Sequence, residues 1–116
     1  VLSFAPGTRV FVAIEPVDMR GSFDALAGAA RRLGLEPVDG HLYFFLNRRR
    51  RLCKVLWFDG SGWLVLSKRL ERGTFELPAA QGGEQVAVSP ATLTMLLEGI
   101  DLSAPRRRWY RRRGAA

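Results

Sequence analysis

Leu52-Cys53-Lys54-Val55-Leu56-Trp57-Phe58, then Asp59-Gly60-Ser61-Gly62, then Trp63-Leu64-Val65-Leu66-Ser67 is the stretch that decides the fold. Two runs rich in aliphatic and aromatic residues flank four turn formers. A gap that short permits a hairpin and excludes a parallel crossover, which needs a dozen residues or more. The first run alternates Cys53, Val55 and Trp57 with Lys54, Leu56 and Phe58, so one face is fully apolar and the other nearly so. Such a strand belongs inside a sheet, with a helix on one face and a second helix or a partner on the other.

Upstream, Leu42-Tyr43-Phe44-Phe45-Leu46 is a third run, separated from Leu52 only by Asn47-Arg48-Arg49-Arg50-Arg51. The three runs therefore predict an antiparallel meander. Arg9-Val10-Phe11-Val12-Ala13-Ile14 reads as a further strand stopped near Pro16, and residues 74–77 and 85–88 as two more short ones. Between residues 22 and 34 the period changes. Phe23, Leu26, Ala27, Ala30 and Leu33 fall on one helical face, with Ser22 as N-cap, Asp24 in the first turn and Gly34 to end the helix. Arg31 and Arg32 suit the helix terminus on their own and are not counted as ligand contacts. Ser89-Pro90 opens a second helix lined by Leu93, Leu96, Leu97 and Ile100, with proline at the first position, where its missing N–H is harmless. The expected architecture is a single α+β domain over residues 1–103. It comprises an antiparallel β-meander sheet of four to six strands, two helices and a flexible basic C-terminal arm, residues 104–116, expected to be disordered when free.

The chain's 116 residues suffice for one core, and 47 % of them are hydrophobic. No apolar run approaches the roughly 20 residues of a membrane-spanning helix. The lone Cys53 excludes an internal disulfide, reads as a buried small hydrophobe and fits a reducing cytoplasm. Net charge is +7, but its distribution says more. Arg48, Arg49, Arg50 and Arg51 form one cluster, and Arg106, Arg107, Arg108, Arg111, Arg112 and Arg113 another. Together they hold 10 of the 18 basic residues, leaving 8 against 11 acidic ones elsewhere, a net of −3. A mildly acidic body with two basic appendages places its positive charge where an anionic partner can reach it.

Catalytic motifs are absent from the sequence. Nucleophilic triads need a base held by a third group, and the only histidine, His41, reads as a turn or strand-edge side chain. One Cys and one His do not make a zinc site. There is no phosphate-cradling glycine loop, and Gly60-Ser61-Gly62 is explained as a hairpin turn. The carboxylates Asp18, Asp24, Asp59, Glu71, Glu76, Glu98 and Asp101 are scattered. The reading therefore assigns no catalytic residue, no cofactor and no metal.

What remains is arginine. Four guanidinium groups at a hairpin tip can straddle a phosphate backbone or enter a groove. The arm adds Trp109 and Tyr110 among its arginines, either to stack on exposed bases or to anchor the arm on the domain. Lys68, Arg69 and Arg72, read as lying just after the third meander strand, are a further candidate phosphate surface. The alternatives are a solvated charge run, or arginines meeting an acidic protein surface while the meander face docks a partner. RNA and DNA are not distinguished by arginine–phosphate contacts, and oligomeric state is open.

These same segments carry a resemblance. Pro6-Gly7-Thr8-Arg9-Val10-Phe11, Asp18-Met19-Arg20 followed by Ser22-Phe23-Asp24, and Gly40-His41-Leu42-Tyr43-Phe44-Phe45 are similar to motifs of one family. So are Lys54-Val55-Leu56-Trp57-Phe58-Asp59-Gly60, Lys68-Arg69-Leu70-Glu71-Arg72-Gly73-Thr74-Phe75 and Leu97-Glu98-Gly99-Ile100-Asp101. Over nearly its whole length the chain resembles the small accessory protein encoded by the second open reading frame of insertion-sequence-66 elements, often called TnpB. The resemblance implies a role in transposition beside a separate transposase that carries the catalytic carboxylates. It also implies that Asp18, Met19 and Arg20 matter. From the residues alone, Asp18 and Arg20 read as a structural pair fixing the loop into the first helix, ahead of a ligand role.

Overall fold

A computed structural model describes residues 4–79 and 82–99. The three apolar runs form strands β2 (Leu42–Leu46), β3 (Leu52–Phe58) and β4 (Trp63–Arg69), paired antiparallel with Phe44 opposite Val55 and Val55 opposite Leu66. Strands β1 (Val10–Ala13) and β5 (Gln85–Val88) complete a five-stranded sheet of order β4-β3-β2-β1-β5. β5 joins β1 antiparallel, but β1 lies parallel to β2, with Val10 opposite Leu42. The segment between β1 and β2 holds helix α1 (Phe23–Arg32) and a one-turn 3-10 helix (Pro37–Asp39), long enough for the crossover that parallel strands require. The sheet is thus mixed, and mostly antiparallel.

Residues 74–77, expected as a strand, are not one. Alternation there serves a different purpose: Phe75 leaves the sheet and is buried edge-on against Phe44 at 6.2 Å.

The helices take opposite faces. Leu26, Ala27, Ala29 and Ala30 of α1 pack with Tyr43, Phe45 and Leu56. Leu93 and Leu96 of α2 (Pro90–Leu97) join Val10, Val12, Leu42, Phe44, Leu46, Cys53, Val55 and Phe75. All five residues of β2 are buried, as the central strand of a sheet covered on both sides must be. Each fully buried large apolar side chain stabilises the fold by roughly 1.5–3 kcal/mol relative to exposure.

The helix ends are explained locally. Ser22 is the N-cap residue of α1, although its side chain makes no capping bond. At the other end Gly34 has φ 81°, its amide donates to Arg31 O at 2.9 Å, and the amide of Leu35 donates to Ala30 O at 3.1 Å. That pair of bonds closes a helix through a left-handed residue, which glycine adopts without steric cost. For α2, Ser89 Oγ accepts from the Thr92 amide at 3.2 Å. Cys53 is fully buried, and burial pushes its thiol up to about 11. His41 Nδ1 accepts from the Arg9 amide at 3.0 Å, which ties the start of β2 to the start of β1, and Asp59 Oδ1 accepts from the amides of Ser61 and Gly62, which holds the β3–β4 turn. Among the described residues no helix is long and apolar enough to cross a membrane.

Candidate nucleic-acid interface

Residues 47–51 turn the chain between β2 and β3. The Asn47 amide donates to Leu52 O and the Arg50 amide to Asn47 O, each at 3.0 Å. Asn47 Oδ1 accepts from the amides of Arg51 and Leu52 at 3.0 and 3.1 Å, so the asparagine side chain staples the loop from within. Arg50 has φ 57° and is, among the described residues, the one non-glycine in the left-handed region. The conformation is unfavourable for an arginine by roughly 1–2 kcal/mol, and such strain tends to collect where a chain does its work. Arg48, Arg49, Arg50 and Arg51 are all exposed. Arg51 Nη2 reaches Glu71 O at 3.5 Å, whereas the other three side chains make no hydrogen bond or ion pair among the described residues.

The chain following β4 is laid against this tip. The Leu70 amide donates to Arg51 O at 2.9 Å and the Phe75 amide to Arg50 O at 2.7 Å, so the segment carrying Arg72 is tied to the arginine loop at both ends. Arg69 stands opposite Leu52 in the sheet. Arg69 and Arg72 are exposed and unpaired among the described residues. Six arginines (48, 49, 50, 51, 69 and 72) therefore occupy one end of the sheet.

Lys68 does not share that surface. β4 continues through Arg69 rather than ending at Ser67, and successive strand residues point to opposite faces. Lys68 consequently lies on the α2 side, where its Nζ is 3.6 Å from Glu98 Oε2.

A third loop reaches the same end. The Val17 amide donates to the O atom of Leu46, the last residue of β2, at 2.9 Å. Lys54, the one charged side chain of β3, donates to Met19 O at 2.7 Å and Gly21 O at 3.1 Å, tethering the loop to the sheet. Within it Arg20 pairs side-on with Asp18. Nε lies 3.0 and 3.1 Å from the two carboxylate oxygens, Nη2 lies 2.7 Å from Oδ2, and the Arg20 amide donates to Oδ1 at 2.9 Å. The hydrogen bonds from Arg20 hold the Asp18 carboxyl down to about 2. Arg20 is nevertheless 91 % exposed and Asp18 59 %.

Sequence reasoning missed two supporting residues. Lys54 was legible as a lone cation in an apolar alternation, and Phe75 as a large aromatic beside a basic segment. Arg106, Arg107, Arg108, Trp109, Arg111, Arg112 and Arg113 lie outside the described residues.

Chemically, this end of the sheet offers exposed planar donor forks, a set suited to anionic oxygens. Among the described residues no group of three or more His, Cys, Asp or Glu side chains is placed to hold a metal ion. Comparison with known proteins agrees with the motifs. The sequence model of the IS66 Orf2 like proteins matches residues 8–107. Uncharacterized protein y4hO of Sinorhizobium fredii (strain NBRC 101917 / NGR234) is 43% identical over 110 residues, covering 94% of this chain and 95% of that one. Uncharacterized protein y4jC of the same strain is 32% identical over 109 residues, with 91% of each chain covered. No solved structure gives a significant match.

Proposed function

The chain belongs to the IS66 Orf2-like family, and from that premise we propose that it acts in transposition as a non-catalytic accessory protein that binds duplex DNA through arginine–phosphate contacts, beside a separate transposase. The observation that carries this reading is the tie between the arginine hairpin and the segment after β4. Two backbone bonds bring exposed, unpaired arginines from separate parts of the chain to one end of a rigid sheet. A solvated charge run needs no such scaffold.

The test is binding to duplex DNA, element-end and random, titrated across salt. Neutralising six phosphates gives a log–log slope of about −5. Replacing Arg48, Arg49, Arg69 and Arg72 by Ala is expected to flatten the slope by three to four, and truncation after Pro105 to flatten it further if the basic arm takes part. No binding by the full chain at low salt overturns the reading. Tighter binding to structured RNA than to duplex DNA would move the assignment to RNA.

A second role, docking onto the transposase, is supported by one specific feature. β4 is an edge strand, and its Leu64 and Leu66 are 38 % and 48 % exposed. An open edge with apolar side chains is a template for a partner strand. Leu64→Lys with Leu66→Lys is expected to abolish retention of the transposase while leaving the salt slope on DNA as it was. Retention unaffected by the pair of lysines removes this role.

A further inference from the structure

Arg20 differs from the other arginines of the basic end. Arg48, Arg49, Arg50, Arg69 and Arg72 have side chains that make no bond among the described residues, whereas Arg20 is held on its side edge by both carboxylate oxygens of Asp18. Its backbone is held as well: its amide is bonded to the same carboxylate, and the carbonyls on either side of it are tethered to Lys54. An exposed ion pair contributes little to stability, so this much constraint on a side chain 91 % exposed calls for another use.

The fork geometry supplies one. A guanidinium has two donor edges. Asp18 occupies the edge made by Nε and Nη2, which leaves the end-on edge, Nη1 with the second Nη2 hydrogen, unused. That free edge presents two parallel donors, the pattern that matches O6 and N7 of guanine in the major groove. Phosphate is the competing acceptor, and the neighbouring carboxylate decides between them. Asp18 stays ionised and cancels the Arg20 charge locally, which weakens attraction to a polyanion. A guanine edge is neutral and rewards a fixed pair of donors more than net charge.

The geometry points to Arg20 as a base-reading residue that selects guanine, with Asp18 as its positioning residue. The inference rests on the DNA-binding reading above. It adds that the unpaired arginines supply affinity and the paired one supplies discrimination. The Val17 amide bonded to Leu46 O puts the loop beside the arginine hairpin, so both can meet one duplex.

The experiment uses the full chain and a pool of duplexes randomised over a short window, followed by single duplexes in which a selected guanine is replaced by adenine or 7-deazaguanine. Wild type is expected to enrich guanine at one position and to lose roughly 5- to 150-fold on either replacement. Arg20→Ala and Arg20→Lys should both lose that preference, because lysine keeps the charge but not the fork. Their salt slopes should change by less than one-half. Asp18→Asn should weaken the preference and steepen the slope by about one, since it releases the Arg20 charge to the backbone. If Arg20→Ala weakens every duplex alike and flattens the slope by about one, Arg20 is a phosphate contact and the inference fails. A wild type that binds duplex DNA but enriches no guanine also overturns it while leaving the DNA-binding role standing. Absence of any duplex binding by wild type defeats both.

Discussion

The carbonyl of Arg50 accepts a 2.7 Å hydrogen bond from the amide of Phe75, and this bond couples the tip of the arginine hairpin to the hydrophobic core. Phe75 is fully buried against Phe44. A loop of four consecutive arginines repels itself; here it is held by a buried aromatic reached through the backbone. The bond also gives a reason for the left-handed backbone of Arg50, which lies between the Asn47 turn and this contact.

Replacing Arg50 by glycine separates folding from binding. Glycine adopts φ 57° without the Cβ penalty, and after its own entropic cost the gain is roughly 0.5–1 kcal/mol. Urea unfolding should therefore show a more stable protein. The same variant should bind duplex DNA less tightly, with a salt slope smaller by about one. Stability that falls instead would mean that the Arg50 side chain contributes to the fold.

Lys54→Met tests the tether of the Asp18-Met19-Arg20 loop. Methionine preserves the stem within the sheet and removes both bonds to Met19 O and Gly21 O. Hydrogen bonds from a charged group are worth about 1.5–3 kcal/mol, so a loss of that order is expected in urea. Amide exchange at residues 19–22 should accelerate at least tenfold, while the β2–β3 ladder keeps its protection. Unchanged exchange in the loop would show that it is held by other contacts.

The pair within that loop has its own pH signature. Asp18 has its carboxyl lowered from 3.8 to about 2, chiefly by hydrogen bonds from Arg20. A depressed carboxylate favours the folded state above the unfolded value and loses that effect as pH falls through the folded one. The contribution is thus complete above pH 3.8 and gone below about 2. Carboxyl carbon shifts followed by NMR should show Asp18 titrating well below 3.8, and Arg20→Ala should return it toward 3.8. A midpoint near 3.8 in wild type would mean that the side-on pair does not form in solution.

Cys53 reports on global opening. Burial raises its thiol from 9.0 to about 11, so at pH 8 the native protein holds a protonated, inaccessible sulfur. Alkylation by iodoacetamide should proceed only through unfolding and speed up with urea in parallel with the loss of structure. A raised thiol favours the folded state fully below pH 9.0, and that effect is lost as pH climbs through about 11. Fast labelling of the native chain would contradict the burial of β3.

Much of this architecture is legible in the residues. The meander follows from the short gaps on either side of β3, and α1 follows from the period of Phe23, Leu26, Ala27 and Ala30 closed by Gly34. The parallel pairing of β1 with β2 does not, because alternation marks a strand without giving its direction. Residues 74–77 alternate like a strand, yet the burial of Phe75 and its amide bond to Arg50 serve the hairpin instead. Lys68 and Arg69 look like one basic group in sequence. They part because β4 runs one turn of the pleat further than its apolar residues do. Asp18 and Arg20 were readable as a pair, whereas the edge left free on the guanidinium is visible only with coordinates.

The strand order also prescribes a sequence of assembly. β2, β3 and β4 are consecutive neighbours joined by brief turns, whereas β1 must meet β5 from far along the chain, Ala13 finding Gln85. Closing near contacts costs less chain entropy than closing distant ones. We expect pulsed exchange during refolding to protect residues 42–69 before residues 10–13 and 85–88. The strands that carry the arginine hairpin and Arg69 then belong to an early-forming core, and the β1–β5 pair acts as a late clasp. A lesion in the clasp would lower the yield of folded protein without altering the grip of the molecules that do fold.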